Sequence, residues 1–177
     1  MVFDLDGTLL DSDAALTAPF LELGIRAEDV AFGALLEEEC TRLGLAVGEY
    51  LARYDVTSAQ PFPGVAELVV GLDRWAVCSN KVGESGRAEL ARLGWTPALA
   101  LFAEDFGGRP KGLGPVLGAL SVPPRDVLFV GDTAHDRRCA EEAGCAFALA
   151  GWNPRARPAA GDTVLARPAD VLSLLGE

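Results

Sequence analysis

Lysine is nearly absent: the 177-residue chain has two, Lys81 and Lys111, beside one histidine, His135, and one methionine, Met1. Acidic residues outnumber basic ones, for a formal net charge of −11. That imbalance argues against nucleic acid or an anionic membrane as partner, because both reward basic surface. No apolar stretch is long enough to span a bilayer, and no signal peptide or low-complexity segment stands out, so a cytoplasmic location is expected. Cysteine is scarce as well. Cys40, Cys78, Cys139 and Cys145 form no C-x-x-C pair, and with cytosolic disulfides uncommon they are expected to be free thiols. What the chain does have is apolar residues, 50% of the total. At this length they suffice for one compact domain with at most a small insertion.

The most informative segment is Asp4-Leu5-Asp6-Gly7-Thr8, which follows the short apolar run Met1-Val2-Phe3. Side chains alternate along a strand, so Asp4 and Asp6 project the same way. Gly7 permits a sharp turn directly afterwards. Two carboxylates this close resist ionising together. A protein keeps such a pair for a bound cation, for acid/base work, or for both.

Three further sites extend the pattern. Trp75-Ala76-Val77-Cys78 is a strand-like run that ends in Ser79-Asn80. Lys111 follows the Gly/Pro-rich loop Gly107-Gly108-Arg109-Pro110 and precedes a helix-like segment. Val127-Leu128-Phe129-Val130 ends in Gly131-Asp132-Thr133-Ala134-His135-Asp136. With these four motifs in this order, over almost its whole length, the chain resembles the haloacid dehalogenase superfamily of hydrolases, and within it the phosphoglycolate-phosphatase-like branch.

The resemblance implies a phosphatase acting on a small phosphorylated metabolite. Phosphomonoester hydrolysis is among the slowest uncatalysed reactions, needing accelerations of up to about 10²¹. A carboxylate nucleophile divides it into two easier displacements. Asp4 is the implied nucleophile. Asp6 would protonate the leaving alcohol and then activate water, help worth about 10²–10⁴ in rate. Thr8, Ser79 and Asn80 would hold the phosphoryl oxygens, and Lys111 would neutralise them. Four carboxylates against one lysine would repel a phosphate dianion, and Mg²⁺ relieves this with its preference for hard oxygen ligands. By resemblance its ligands are the carboxylates of Asp4 and Asp132 and the backbone carbonyl of Asp6. Asp136 would hold metal-bound water and orient Lys111.

Two departures from the family pattern stand out. The lysine of the third motif is ordinarily followed by proline, whereas here Pro110 precedes Lys111 and Gly112 follows it. The first strand has almost no residues before Asp4, as if initiation lay upstream of Met1. His135 is expected to shape its loop.

From Val65 onward, strands alternate with helices. Strands are expected at Met1–Leu5, Trp75–Ser79, Ala98–Phe102, Asp126–Gly131 and Cys145–Leu149. Helices are expected near Val65–Asp73, Glu84–Leu93, Leu113–Leu120, Ala134–Ala143 and Ala169–Leu175. This is an α/β fold, a Rossmann-like parallel sheet of about five strands with right-handed crossovers. Its ligands bind at the carboxyl ends of the strands, where all four motifs fall. Residues 13–60 break the alternation with helical patterns at Ala14–Leu23, Ala27–Leu43 and Val47–Tyr54. Their position matches the family's helical cap, inserted after the first strand, between a catalytic core of residues 1–12 and 61–177. Phe20, Arg26, Arg42 and Arg53 are candidates to touch the leaving group. The rivals are a sugar phosphomutase of the same fold and a catalytically silent binding or regulatory module. The abridged cap disfavours the first, and the intact Asp6 the second.

Overall fold

The computed structural model describes residues 1–175. Its first strand, β1, is only Val2–Phe3, yet it lies at the centre of the sheet. The chain then makes a short strand β2 (Leu10–Asp11) and three helices, α1 (Asp13–Glu22), α2 (Leu36–Leu43) and α3 (Val47–Leu51). It returns through β3 (Gln60–Pro61), which pairs antiparallel with β2, Leu10 opposite Pro61 and Asp11 opposite Gln60. The alternating part follows as α4 (Val65–Val70), β4 (Ala76–Cys78), α5 (Gly83–Arg92), β5 (Leu99–Leu101), α6 (Leu113–Leu120), β6 (Leu128–Gly131), α7 (Ala134–Ala143), β7 (Ala146–Ala150) and β8 (Thr163–Leu165). A 3₁₀ run, Pro168–Leu175, closes the described chain.

The main sheet has six strands in the order β5-β4-β1-β6-β7-β8, and every pairing in it is parallel. The expected class stands, and all five expected strands are present. The sixth, β8, is the correction to the strand count. It lies in a Pro/Gly/Arg-rich stretch with no periodic signal and pairs with β7 alone.

Alternation along the strands sorts the interior into two layers. Phe3, Val77, Val130 and Ala148 point to the side covered by α4 and the C-terminal 3₁₀ run. Val2, Ala76, Cys78 and Phe129 point to the side covered by α6 and α7. Burial on both faces is what a parallel sheet requires of its strands.

Phe20 (α1), Cys40 (α2) and Tyr50 (α3) form a separate small cluster. The helix expected over Ala27–Leu43 is interrupted. Ala27–Asp29 is a 3₁₀ turn, and α2 starts only at Leu36. Gly33 between them has φ +88°, a left-handed conformation that ends a helix and suits glycine. The helix expected over Val47–Tyr54 stops at Leu51.

Candidate active site

The chain runs from β1 to β4 and β5 on one side and from β6 to β7 and β8 on the other. Such a reversal opens a crevice at the strands' carboxyl ends. Asp4 follows β1, Ser79 and Asn80 follow β4, and Asp132 follows β6. Lys111 comes from the loop ahead of α6, and Asp136 from the first turn of α7.

Local chemistry fixes each of these groups. Asp4 continues the ladder, its N–H donating to the Val130 carbonyl at 2.9 Å. Its Oδ1 accepts from the Leu5 N–H at 2.7 Å and lies 2.8 Å from Lys111 Nζ. Gly7 turns the chain at φ +78°, and a Cβ there would sit 2.5 Å from Asp132 Oδ2, so only glycine lets the loop pass. Thr133 caps α7 through a reciprocal pair. The Asp136 N–H donates to Thr133 Oγ1 at 3.2 Å, and the Thr133 N–H donates to Asp136 Oδ2 at 2.9 Å. That capping box aims the other Asp136 oxygen inward, 2.7 Å from Lys111 Nζ.

The centre is crowded with charge. Asp4, Asp132 and Asp136 each offer a carboxylate oxygen within 4.8 Å of the others, and all three residues are buried. Burial, reinforced by neighbouring carboxylates and only partly offset by Lys111, pushes Asp4 up to about 6. Burial and the Asp4 charge push Asp132 up to about 7. Burial opposes the charged form of Lys111, but Asp136 and Asp4 outweigh it and hold the lysine above its ordinary value. Asp136 is also opposed by burial, yet Lys111 and the Thr133 bonds keep it ionised.

The donor set fits a hard divalent cation. It is all oxygen and net negative. Asp136 Oδ1 has no aligned hydrogen-bond donor, only the nearby Lys111 charge. Asp132 is already oriented, with Oδ1 accepting from Thr8 Oγ1 at 3.3 Å and Oδ2 from Asn153 Nδ2 at 2.9 Å.

Asn80 ties loops together. Its Oδ1 accepts from the Lys111 N–H at 2.7 Å, and its Nδ2 donates to the Gly33 carbonyl at 2.9 Å. The reversed Pro110-Lys111 order is accommodated by this bond and by left-handed Gly107 and Gly108 upstream. Ser79 is buried beside them, its Oγ accepting from the Lys81 N–H at 3.3 Å. His135 lies with Nε2 3.5 Å from Cys139 Sγ.

The sequence reading missed Lys81. Its ammonium is 2.9 Å from Asp6 Oδ1, 3.1 Å from Glu89 Oε1 and 2.8 Å from the Tyr54 hydroxyl, which itself donates to Glu89 at 2.6 Å. Burial opposes the charge on Lys81, but Asp6 and Glu89 prevail and raise its pKa. The signal was present, since the first of only two lysines directly follows Ser79-Asn80. Asn153 and Trp152 were also missed. They lie just past β7, and Trp152 Nε1 donates to the Thr8 carbonyl at 2.9 Å. Three of the four leaving-group candidates point elsewhere. Arg26 pairs with Asp29, Arg42 with Glu39, and Arg53 lies 3.9 Å from Glu22, whereas Phe20 lines the cleft above Asp4 and Asp6.

Residues 31–150 match the family model described as haloacid dehalogenase-like hydrolase. A phosphoglycolate phosphatase from Xylella fastidiosa is 30% identical, over 88% of this chain and 81% of its own. An N-acetylmuramic acid 6-phosphate phosphatase from Pseudomonas aeruginosa is 26% identical, over 99% of this chain and 93% of its own. A solved haloacid dehalogenase-like family hydrolase from Streptococcus pneumoniae has the same fold. It superposes with a TM-score of 0.78 at 21% identity, covering 98% of this chain and 96% of its own. By sequence match, fold and the placing of its motifs, the chain belongs to the haloacid dehalogenase-like hydrolase family.

Proposed function

We propose that this chain is a magnesium-dependent phosphatase that cleaves a small phosphomonoester through an aspartyl-phosphate on Asp4. Phosphoric monoester hydrolysis is the activity of its named relatives, and the chain is a hydrolase of that kind. The observation that carries the finer reading is the asymmetry of Asp4. One oxygen is held by the Leu5 N–H and Lys111, which leaves Oδ2 to attack phosphorus.

In the first step Asp4 Oδ2 forms the new P–O bond while the ester P–O bond breaks. Asp6 delivers its proton to the departing oxygen. In the second step Asp6 takes a proton from water, whose oxygen attacks phosphorus and releases Asp4 and inorganic phosphate. Lys111 neutralises charge on the phosphoryl oxygens throughout, and Thr8 and Ser79 line their seat. Mg²⁺ would be held by Asp4, Asp132 and the Asp6 carbonyl, with Asp136 beside it, and would supply positive charge where the phosphoryl group accumulates negative charge. Residues 13–60 act as a cap over this centre, excluding water from it.

The test is phosphate release by Asp4→Asn with and without magnesium. The variant should lose turnover by a factor of about 10³ or more while melting as a folded protein. Undiminished turnover would remove Asp4 from its role. Activity unaffected by a chelator would remove the metal.

A further inference from the structure

The cleft above Asp4 and Asp6 lies between the core and the helical segment. Its floor is Asp4, Asp6, Ser79 and Lys111, where the phosphoryl group must sit. Its far wall is Phe20, Phe32, Leu36, Tyr50, Leu51 and Tyr54, and this wall faces whatever the leaving oxygen carries.

The polar atoms along that wall are already engaged. The Tyr50 hydroxyl donates to the Leu16 carbonyl at 3.0 Å, and the Tyr54 hydroxyl to Glu89 at 2.6 Å. Both tyrosines therefore present rings to the cleft. Asn80 is used at both ends of its amide. Glu39 accepts from the Ala31 N–H and from Arg42.

The cations are engaged too. Among the residues lining the cleft only Lys81 and Lys111 are basic. Lys111 lies between Asp4 and Asp136, and Lys81 between Asp6 and Glu89. Lys111, held by Asp4 and Asp136, is the cation for the phosphoryl oxygens, and Lys81 faces two carboxylates, so neither is left for a charge on the leaving group. A carboxylate on the leaving group would shed its water among aromatic rings and meet no free cation among the lining residues, an unfavourable way to bury an ion. Glu39 on the lining adds repulsion.

We infer that, on the phosphatase reading above, the substrate is a phosphomonoester whose leaving group is uncharged and partly apolar. This sets the chain apart from relatives named for phosphoglycolate and N-acetylmuramic acid 6-phosphate, both of which carry a carboxylate. An aromatic or branched aliphatic alcohol fits the wall, and its ring would stack on Phe20, Phe32 or Tyr54.

The experiment compares kcat/KM with magnesium for two matched pairs. These are ethyl phosphate against phosphoglycolate, and benzyl phosphate against 4-carboxybenzyl phosphate. Benzyl phosphate should exceed its carboxylated twin, and ethyl phosphate, by about tenfold or more. Ethyl phosphate should exceed phosphoglycolate. If either carboxylated ester equals or outruns its neutral twin, or if ethyl equals benzyl, the inference is wrong while the phosphatase reading stands. Silence on all four esters from folded protein overturns both.

Discussion

At the residue scale, the site is built by pairing each of the chain's two lysines with two carboxylates. Lys81 is the less expected of the two. Its side chain is 3% exposed and that of Glu89 is 0% exposed, so its removal strands negative charge in the interior. Lys81→Met should therefore destabilise the fold by about 3–5 kcal/mol, seen as a lower urea midpoint with unchanged slope. The same variant distinguishes packing from chemistry. With Asp6 as general acid, loss of its partner should lower kcat/KM for an alkyl phosphate at least tenfold more than for a nitrophenyl phosphate, whose leaving group needs little protonation. Equal losses on both esters would reduce Lys81 to a structural ion. Asp4, Asp6, Asp132 and Asp136 were legible from sequence because they lie at or just past the end of an apolar run, and Lys111 because it follows a Gly/Pro-rich loop and precedes a helix-like segment. Tyr54 and Asn153 were not, because their partners in space are 21 residues or more away along the chain, and Glu89 was missed together with its partner Lys81.

At the element scale, α5 carries both Glu89 and the close approach that fixes the crossover from β4 to β5. A Cβ on Gly86 would sit 2.2 Å from a ring carbon of Phe102, which is fully buried. Gly86→Ala should consequently lower stability by about 1–3 kcal/mol despite alanine's better helix propensity, because the ring has nowhere to move. Thermal or urea unfolding checks the sign, and a gain in stability would contradict the packing. Element types in the alternating region were readable from hydrophobic runs and turn residues, and α6 and α7 match their expected bounds. The failures have physical causes. Ala27–Leu43 is rich in helix formers, but Gly33 adopts positive φ and its carbonyl is held by Asn80. β8 is three residues long and owes its existence to a ladder with β7, a long-range pairing that leaves no local pattern.

At the scale of the whole molecule, stability and metal binding are linked through protons. Asp4 and Asp132 bind protons more tightly in the folded protein, at about 6 and about 7, than at their ordinary value of 3.8. Their contribution to stability is therefore greatest below the unfolded value and is lost as pH rises through the folded values. Magnesium competes with the same protons. Metal-free protein should lose melting temperature at these groups between pH 5 and pH 8, and added magnesium should raise Tm more at pH 8 than at pH 5. Identical magnesium shifts at both pH values would mean that the carboxylate cluster is not where the ion binds. No helix among the described residues is long and apolar enough to cross a membrane.

The short β2–β3 ribbon has a consequence for how such a chain can change. Asp11 and Gln60 face each other across it, and antiparallel partners lie about 5 Å apart. Everything between them leaves the core and rejoins it at a single doorway, on a ribbon outside the six-stranded sheet. Loss, gain or exchange of that stretch, in the laboratory or over generations, leaves every parallel ladder in register. On the proposed reading, the floor that would handle the phosphate and the wall that would face the alcohol thus lie on separate stretches of chain, joined where Tyr54 meets Lys81 and Gly33 meets Asn80.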